Sequence, residues 1–284
     1  MVPQSKSLIC LGAAGFHHMA YMRWSEAESQ SKCPLICVHG LTRNGRDFDA
    51  LAAALSRSGP VLCPDIVGRG ASDWLANPAE YAYPRYVADV ASLIASLDAP
   101  EVDFLGTSMG GIIGMVLASQ PKTPIRRLVL NDVGGLIPAA ALERIGRYVG
   151  TDERFDDLAA LATHLSHIHG GFGPLSDTDW RRMAERSHRI LPDGRLALAY
   201  DPAIAAAFKD GPIEDVPLWA HYDRISCPTL LIRGARSDLL LAETAQEMTG
   251  RGPCATLYEV ADAGHAPALI DPAQIETVAR FLER

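Results

Sequence analysis

The chain has 284 residues, 48% of them hydrophobic and 21% charged, a composition that fits an ordinary globular protein and excludes disordered and fibrous classes. Its formal net charge is −8 and it carries no basic run, which argues against nucleic acid and anionic membrane surfaces as partners. No apolar run reaches the roughly 20 residues that span a bilayer. The six cysteines form no C-x-x-C pair, and several lie inside apolar runs, so they are expected to be buried, reduced thiols.

The first predicted elements are two strands, Leu8 to Phe16 and His18 to Glu26. Lys6 followed by the first of these has a faint leader-like look, but the apolar stretch is short and runs straight into the second. It is read as the opening strand of a cytoplasmic protein. Apolar strands and amphipathic helices then alternate. Leu35–His39 is a strand and Arg46–Arg57 a helix; Pro60–Ile66 is a strand. Pro84–Asp98 is a helix whose stripe holds Tyr86, Val87, Val90, Leu93, Ile94 and Leu97. Val102–Leu105 (strand), Met109–Ser119 (helix) and Arg127–Asp132 (strand) follow. From Leu136 to His221 the pattern is helical with no convincing strand. Alternation resumes with Thr229–Arg233 (strand), Ala242–Gly250 (helix), Ala255–Val260 (strand) and Ile270–Leu282 (helix). Such alternation predicts an α/β fold with a mostly parallel sheet covered on both faces. Residues 1–135 and 222–284 are expected to form the core domain, and 136–221 a helical insertion in it.

Gly106-Thr107-Ser108-Met109-Gly110-Gly111 sits between a predicted strand and a predicted helix. A serine at the tip of a sharp strand-to-helix turn lifts its hydroxyl above the sheet beside a helix N-terminus, and the flanking glycines let the chain double back. Alone the pattern could be a Gly-rich turn with a capping serine; its position makes Ser108 a candidate nucleophile. The tetrahedral intermediate of acyl transfer needs two N–H donors. The backbone of Met109 and that of Leu41, in the loop His39-Gly40-Leu41-Thr42, are the candidates. His39, at a strand end, is given a structural role.

His265, in the loop Asp262-Ala263-Gly264-His265-Ala266 after the last strand, is the candidate base. His164, His167 and His169 have a spacing that could suggest a metal site, but no carboxylate or cysteine cluster accompanies them, so no metal is assigned. The acid that orients a catalytic histidine belongs, in this chain order, after the penultimate strand. Asp238 is the first candidate there, and Asp132, just after the strand Leu128–Leu130, is its rival.

Val38-His39-Gly40, Asp65-Ile66-Val67-Gly68-Arg69-Gly70-Ala71-Ser72, Gly106–Gly111, Gly234–Asp238 and Gly264-His265 together resemble the α/β-hydrolase superfamily over nearly the whole chain. The resemblance implies an eight-stranded sheet flanked by helices, with the insertion as a helical cap over Ser108. It also implies a structural, non-catalytic role for Asp65 and the Gly68–Ser72 turn. The chain is most similar to carboxylesterases and lactone- or polyester-cleaving relatives, and also to carbon–carbon hydrolases of aromatic ring-cleavage products. Those usually carry a glycine-rich stretch after His-Gly, where this chain has Leu41-Thr42-Arg43-Asn44-Gly45-Arg46. Haloalkane and epoxide hydrolases place aspartate at the elbow, unlike Ser108.

The expected reaction is ester hydrolysis through an acyl-enzyme, with no cofactor. Apolar residues of the insertion, such as Phe155, Leu165, Phe172 and Trp180, fit an apolar acyl group on a small-molecule substrate. Arg43 and Arg46 stand between two readings, partners for a substrate carboxylate or solvated surface cations. Acyl transfer would use the same residues, and a ligand-binding protein would need none of them. Nothing in the sequence specifies an oligomeric state.

Overall fold

The computed structural model describes residues 2–25, 33–208 and 212–283. The chain opens with a hairpin, β1 (Gln4–Gly12) and β2 (Gly15–Trp24), followed by β3 (Leu35–Val38), α1 (Asp49–Leu55) and β4 (Val61–Pro64). Next come α2 (Tyr83–Ala95), β5 (Val102–Thr107), α3 (Met109–Ala118) and β6 (Ile125–Asn131). The segment that follows holds β7 (Leu136–Ile137), α4 (Ala139–Gly146), α5 (Leu158–Ile168), α6 (Asp177–Arg186), β8 (His188–Ile190), β9 (Leu196–Leu198), β10 (Val216–Pro217) and α7 (Trp219–Tyr222). The chain ends with β11 (Thr229–Gly234), α8 (Ala242–Met248), β12 (Thr256–Val260) and α9 (Pro272–Leu282).

Among the described residues eight strands form one sheet, in the order β1-β2-β4-β3-β5-β6-β11-β12. From β4 to β12 the neighbours pair in parallel, and only β2 runs against its neighbours, antiparallel to both β1 and β4. The central strands β3, β4 and β11 are buried at every position, as a sheet covered on both faces requires. One apolar layer gathers α2 and α3 residues such as Val90, Leu93, Ile113 and Met115. The other gathers Leu51, Leu55, Val278 and Leu282 from α1 and α9.

The first hairpin turns earlier than the sequence reading placed it. Gly12 pairs with Gly15 across Ala13-Ala14, and Gly15 has φ +123°, so the glycine pair rather than the apolar run sets the reversal. Glu26, at the end of the second expected strand, lies outside the described residues. Four cysteines (Cys10, Cys37, Cys63 and Cys227) are buried as expected, while Cys33 is half-buried and Cys254 exposed. Among the described residues no helix is long and apolar enough to cross a membrane.

β6 and β11 are sheet neighbours although about a hundred residues separate them in sequence, so the chain leaves the sheet after β6 and rejoins it at β11, and the segment between is the expected insertion. It also contains strands, contrary to the sequence reading. β7 pairs with β10, joining the beginning and end of the insertion, and β8 pairs with β9. These ribbons are two or three residues long, too short for alternation to register. The insertion has its own small core of Phe155, Leu161, Leu165, Trp180 and Ala184.

Candidate active site

β5 runs into Thr107, and the chain reverses at Ser108 to begin α3. Ser108 has φ +52° and ψ −117°, a conformation that costs an L-residue on the order of 1–3 kcal/mol. The flanking glycines make the reversal possible. A Cβ on Gly106 would lie 2.2 Å from the Gly110 carbonyl oxygen, and one on Gly110 would lie 2.0 Å from that of Val38.

His265 sits in the loop after β12, with Nε2 3.0 Å from Ser108 Oγ. Its Nδ1–H donates to Asp132 Oδ2 at 2.7 Å. Ser108, His265 and Asp132 therefore form one continuous chain of hydrogen bonds. The expectation that Asp238 orients His265 is corrected. Asp238 is half-exposed and bound to Arg144 of α4, with Arg144 Nε 2.5 Å from Asp238 Oδ2. The loop after β11 turns Ser237 inward instead. Ser237 Oγ donates to Asp132 Oδ2 at 2.5 Å and the Gly234 N–H donates to Asp132 Oδ1 at 2.8 Å. Asp132 is fully buried at φ +55°, and its own N–H is held by the Ile232 carbonyl at 2.8 Å. These donors supply the hydrogen bonds that a buried carboxylate requires.

Neighbouring bonds set the two loops against each other. Asn131 Nδ2 donates to Thr107 Oγ1 at 3.0 Å and to the Pro267 carbonyl at 2.9 Å, linking the residue before Ser108 to the loop of His265. From the insertion, the Gly171 carbonyl accepts from the Gly264 N–H at 2.7 Å, and that of Phe172 accepts from Ala268 at 3.1 Å.

Met109 is the first residue of α3, where backbone N–H groups lack intrahelical acceptors. The Gly40–Leu41 peptide is fixed from its carbonyl side, because Gly40 O accepts from His39 Nδ1 at 2.7 Å and from the Arg43 N–H at 3.1 Å. His39 Nε2 accepts from the Ile66 N–H at 3.0 Å, which assigns the proton to Nδ1. Burial pushes the His39 pKa down to about 3, with Arg69 and Arg43 adding to the effect, so the ring is neutral. Its expected structural role agrees with these bonds.

Arg69, expected only as part of a structural turn, reaches the Leu41 backbone and the Met109 side chain. The guanidinium is completely buried. Nε donates to the Leu41 carbonyl at 2.9 Å, Nη1 to that of Val67 at 2.8 Å, and Nη2 lies 3.6 Å from Met109 Sδ. Its charge rests over the ring of Tyr86, 4.8 Å from the centroid. An Arg between two glycines carries no local sign of this reach.

Two cavities meet at Ser108. One is walled by Arg43, Thr42 and His265 of the core and by Arg144, Tyr148, His169, Phe172 and Met183 of the insertion. The other is apolar, lined by Tyr83, Tyr86, Ile112, Ile137, Leu142 and Phe208 among others. Burial, with Arg43 and His265 nearby, holds the His169 pKa well below the ordinary histidine range. The two arginines that follow Gly40 part company. Arg43 is buried and forked onto Asp47, whereas Arg46 is bound to Asp49 and lines a separate groove. Among the described residues one set of three metal-ligand types converges, Cys10, His17 and Asp89. It lies beneath the N-terminal hairpin, where Asp89 already accepts from His17 at 2.8 Å and Arg85 at 3.1 Å.

A model of the alpha/beta hydrolase family matches residues 35–279. A 3-hydroxybutyrate-oligomer hydrolase of Cupriavidus necator is 44% identical over 280 residues, 96% of this chain and 95% of that protein. Among solved structures, a putative hydrolase from Rickettsia typhi superposes with a TM-score of 0.91 at 34% identity, over 100% of this chain and 99% of that one. An alpha/beta hydrolase from Novosphingobium aromaticivorans gives 0.87, also at 34% identity, with coverage of 100% and 99%. With an eight-stranded, mostly parallel sheet and these relatives over its full length, the chain belongs to the alpha/beta hydrolase family and is a hydrolase.

Proposed function

We propose that the chain hydrolyses carboxylic esters, with short oligoesters of 3-hydroxy acids as its substrate class. Ser108 is the nucleophile, His265 the base and Asp132 the acid. The observation that supports this most is the unbroken path from Ser108 Oγ through His265 to Asp132, at 3.0 and 2.7 Å. Likeness to the Cupriavidus necator enzyme supports the substrate class.

In this reading His265 Nε2 takes the Ser108 proton as Oγ attacks the ester carbonyl, and Asp132 stabilises the imidazolium. The Met109 and Leu41 N–H groups hold the oxyanion. His265 then protonates the leaving alcohol, and a water activated by the same ring releases the acid and restores Ser108. Residues 136–221 act as a cap, since α4 and the 170–172 turn wall the cavity above Ser108. The apolar cavity suits an aliphatic acyl group.

The test is turnover of 3-hydroxybutyrate dimer and trimer, beside p-nitrophenyl butyrate, with Ser108→Ala as control. Hydrolysis that falls roughly 10⁴-fold or more in the variant supports the assignment. Turnover that survives the substitution, or a wild type inert on all three esters, overturns it.

A further inference from the structure

The Arg43 side chain is placed as a binding group would be. It is 4% exposed, and its Nη1 is buried without a hydrogen-bond partner. Nε and Nη2 donate to Asp47 at 2.9 and 2.6 Å, which fixes the guanidinium plane and leaves Nη1 unused. A buried donor without an acceptor costs about 1–3 kcal/mol, so its retention beside a reaction centre points to an acceptor that arrives with the substrate. The location is close to the chemistry. A Cβ built on Gly40 would lie 3.8 Å from Ser108 Cβ and 3.9 Å from Arg43 Cγ, so nucleophile and arginine flank the same glycine.

The two cavities divide the ester. His265 lines the Arg43 cavity and not the apolar one. The group that departs must collect its proton from His265, so the leaving alcohol belongs on the Arg43 side and the acyl group on the apolar side. In an oligoester of hydroxy acids, the alcohol that leaves from the last linkage carries the free carboxylate of the chain. Guanidinium N–H groups are matched donors for that group. His169, kept neutral on the same wall, brings no competing charge.

We propose that Arg43 binds the terminal carboxylate of the substrate, so that the enzyme removes hydroxy-acid units one at a time from the carboxyl end. The proposal rests on the ester-hydrolase reading above and adds the direction of attack. In the acylation step the Ser108 Oγ–carbonyl carbon bond forms and the terminal ester C–O bond breaks. The Ser108 proton passes through His265 to the departing oxygen, and the released monomer keeps its carboxylate on Arg43. Water then cleaves the acyl-enzyme, so each cycle consumes one water and one ester bond.

The experiment compares 3-hydroxybutyrate dimer as the free acid with its methyl ester, which has the same scissile bond and no charge. Wild type should prefer the acid by about 10- to 100-fold in kcat/KM, the range of one charged hydrogen bond. Arg43→Gln should bring that ratio close to one, mainly through KM, whereas Arg46→Gln should keep it. Wild type alone provides a second measurement. Free 3-hydroxybutyrate should inhibit competitively, and its amide should inhibit at least about 10-fold more weakly. Equal turnover of acid and methyl ester with equal inhibition by acid and amide overturns the carboxylate role while leaving ester hydrolysis standing. A wild type inert on both substrates refutes the underlying reading instead.

Discussion

Ser237 Oγ lies 2.5 Å from Asp132 Oδ2, so the loop after β11 supports the carboxylate that meets His265 rather than supplying it. Asp238, one residue further on, points away to Arg144. The two carboxylates therefore make opposite predictions. Asp132→Asn should lower kcat on p-nitrophenyl butyrate by about 10⁴-fold, because an amide no longer holds the imidazole tautomer. Asp238→Asn should stay within about threefold of wild type, since an exposed ion pair contributes little. Steady-state kinetics of the two variants decide the matter, and a larger loss in Asp238→Asn would return the acid to the β11 loop.

Arg69 should act on the rate rather than on binding. Its fork holds the Leu41 carbonyl and reaches Met109 Sδ, so it braces the two residues whose N–H groups are the proposed oxyanion donors. Arg69→Lys keeps a charge but loses the planar fork. We expect kcat to fall about 10- to 100-fold with KM changed less than threefold, as for loosened oxyanion geometry. A rise in KM at constant kcat would place Arg69 in substrate binding and refute the positioning role.

The elbow leaves no room for a methyl group at position 110. A Cβ there would lie 2.0 Å from the Val38 carbonyl oxygen, a clash with backbone that has no rotamer to yield. Gly110→Ala should destabilise the fold by roughly 2–4 kcal/mol. Thermal melts would reveal it, and an unchanged Tm would mean that α3 shifts freely against β3.

Acid should weaken the fold before ordinary carboxylates titrate. Burial pushes His39 down to about 3 and His169 well below its ordinary range. In the unfolded chain both titrate near pH ~6.5. Below that pH the unfolded state takes up protons that the folded state refuses, so stability falls as pH drops from about 6.5 towards 3. Each histidine contributes a slope of up to about 1.4 kcal/mol per pH unit. Urea midpoints taken at about pH 7, 6 and 5 should decline, and the decline should be shallower in His39→Gln. Equal slopes in the two proteins would show that His39 is not held neutral.

The sheet, the position of Ser108 and the loop that carries His265 follow from the amino-acid sequence without the tertiary structure. Each depends on local chemistry: apolar strands alternating with amphipathic helices, glycines that a reversal needs, a histidine just past the last strand. The acid was not decided at that level, because both Asp132 and Asp238 follow strands and β6 and β11 are sheet neighbours. Which carboxylate reaches His265 depends on how the two loops turn, and the Gly234 and Ser237 donors settle it by converging on Asp132. The same holds for Arg69 and Arg43. A long side chain reaches several ångströms from its own backbone, and only packing shows that one clamps the Leu41 loop while the other keeps a buried donor beside Ser108. Strand–helix periodicity reports which face of an element is buried; it carries no information about what a polar group meets once it is inside.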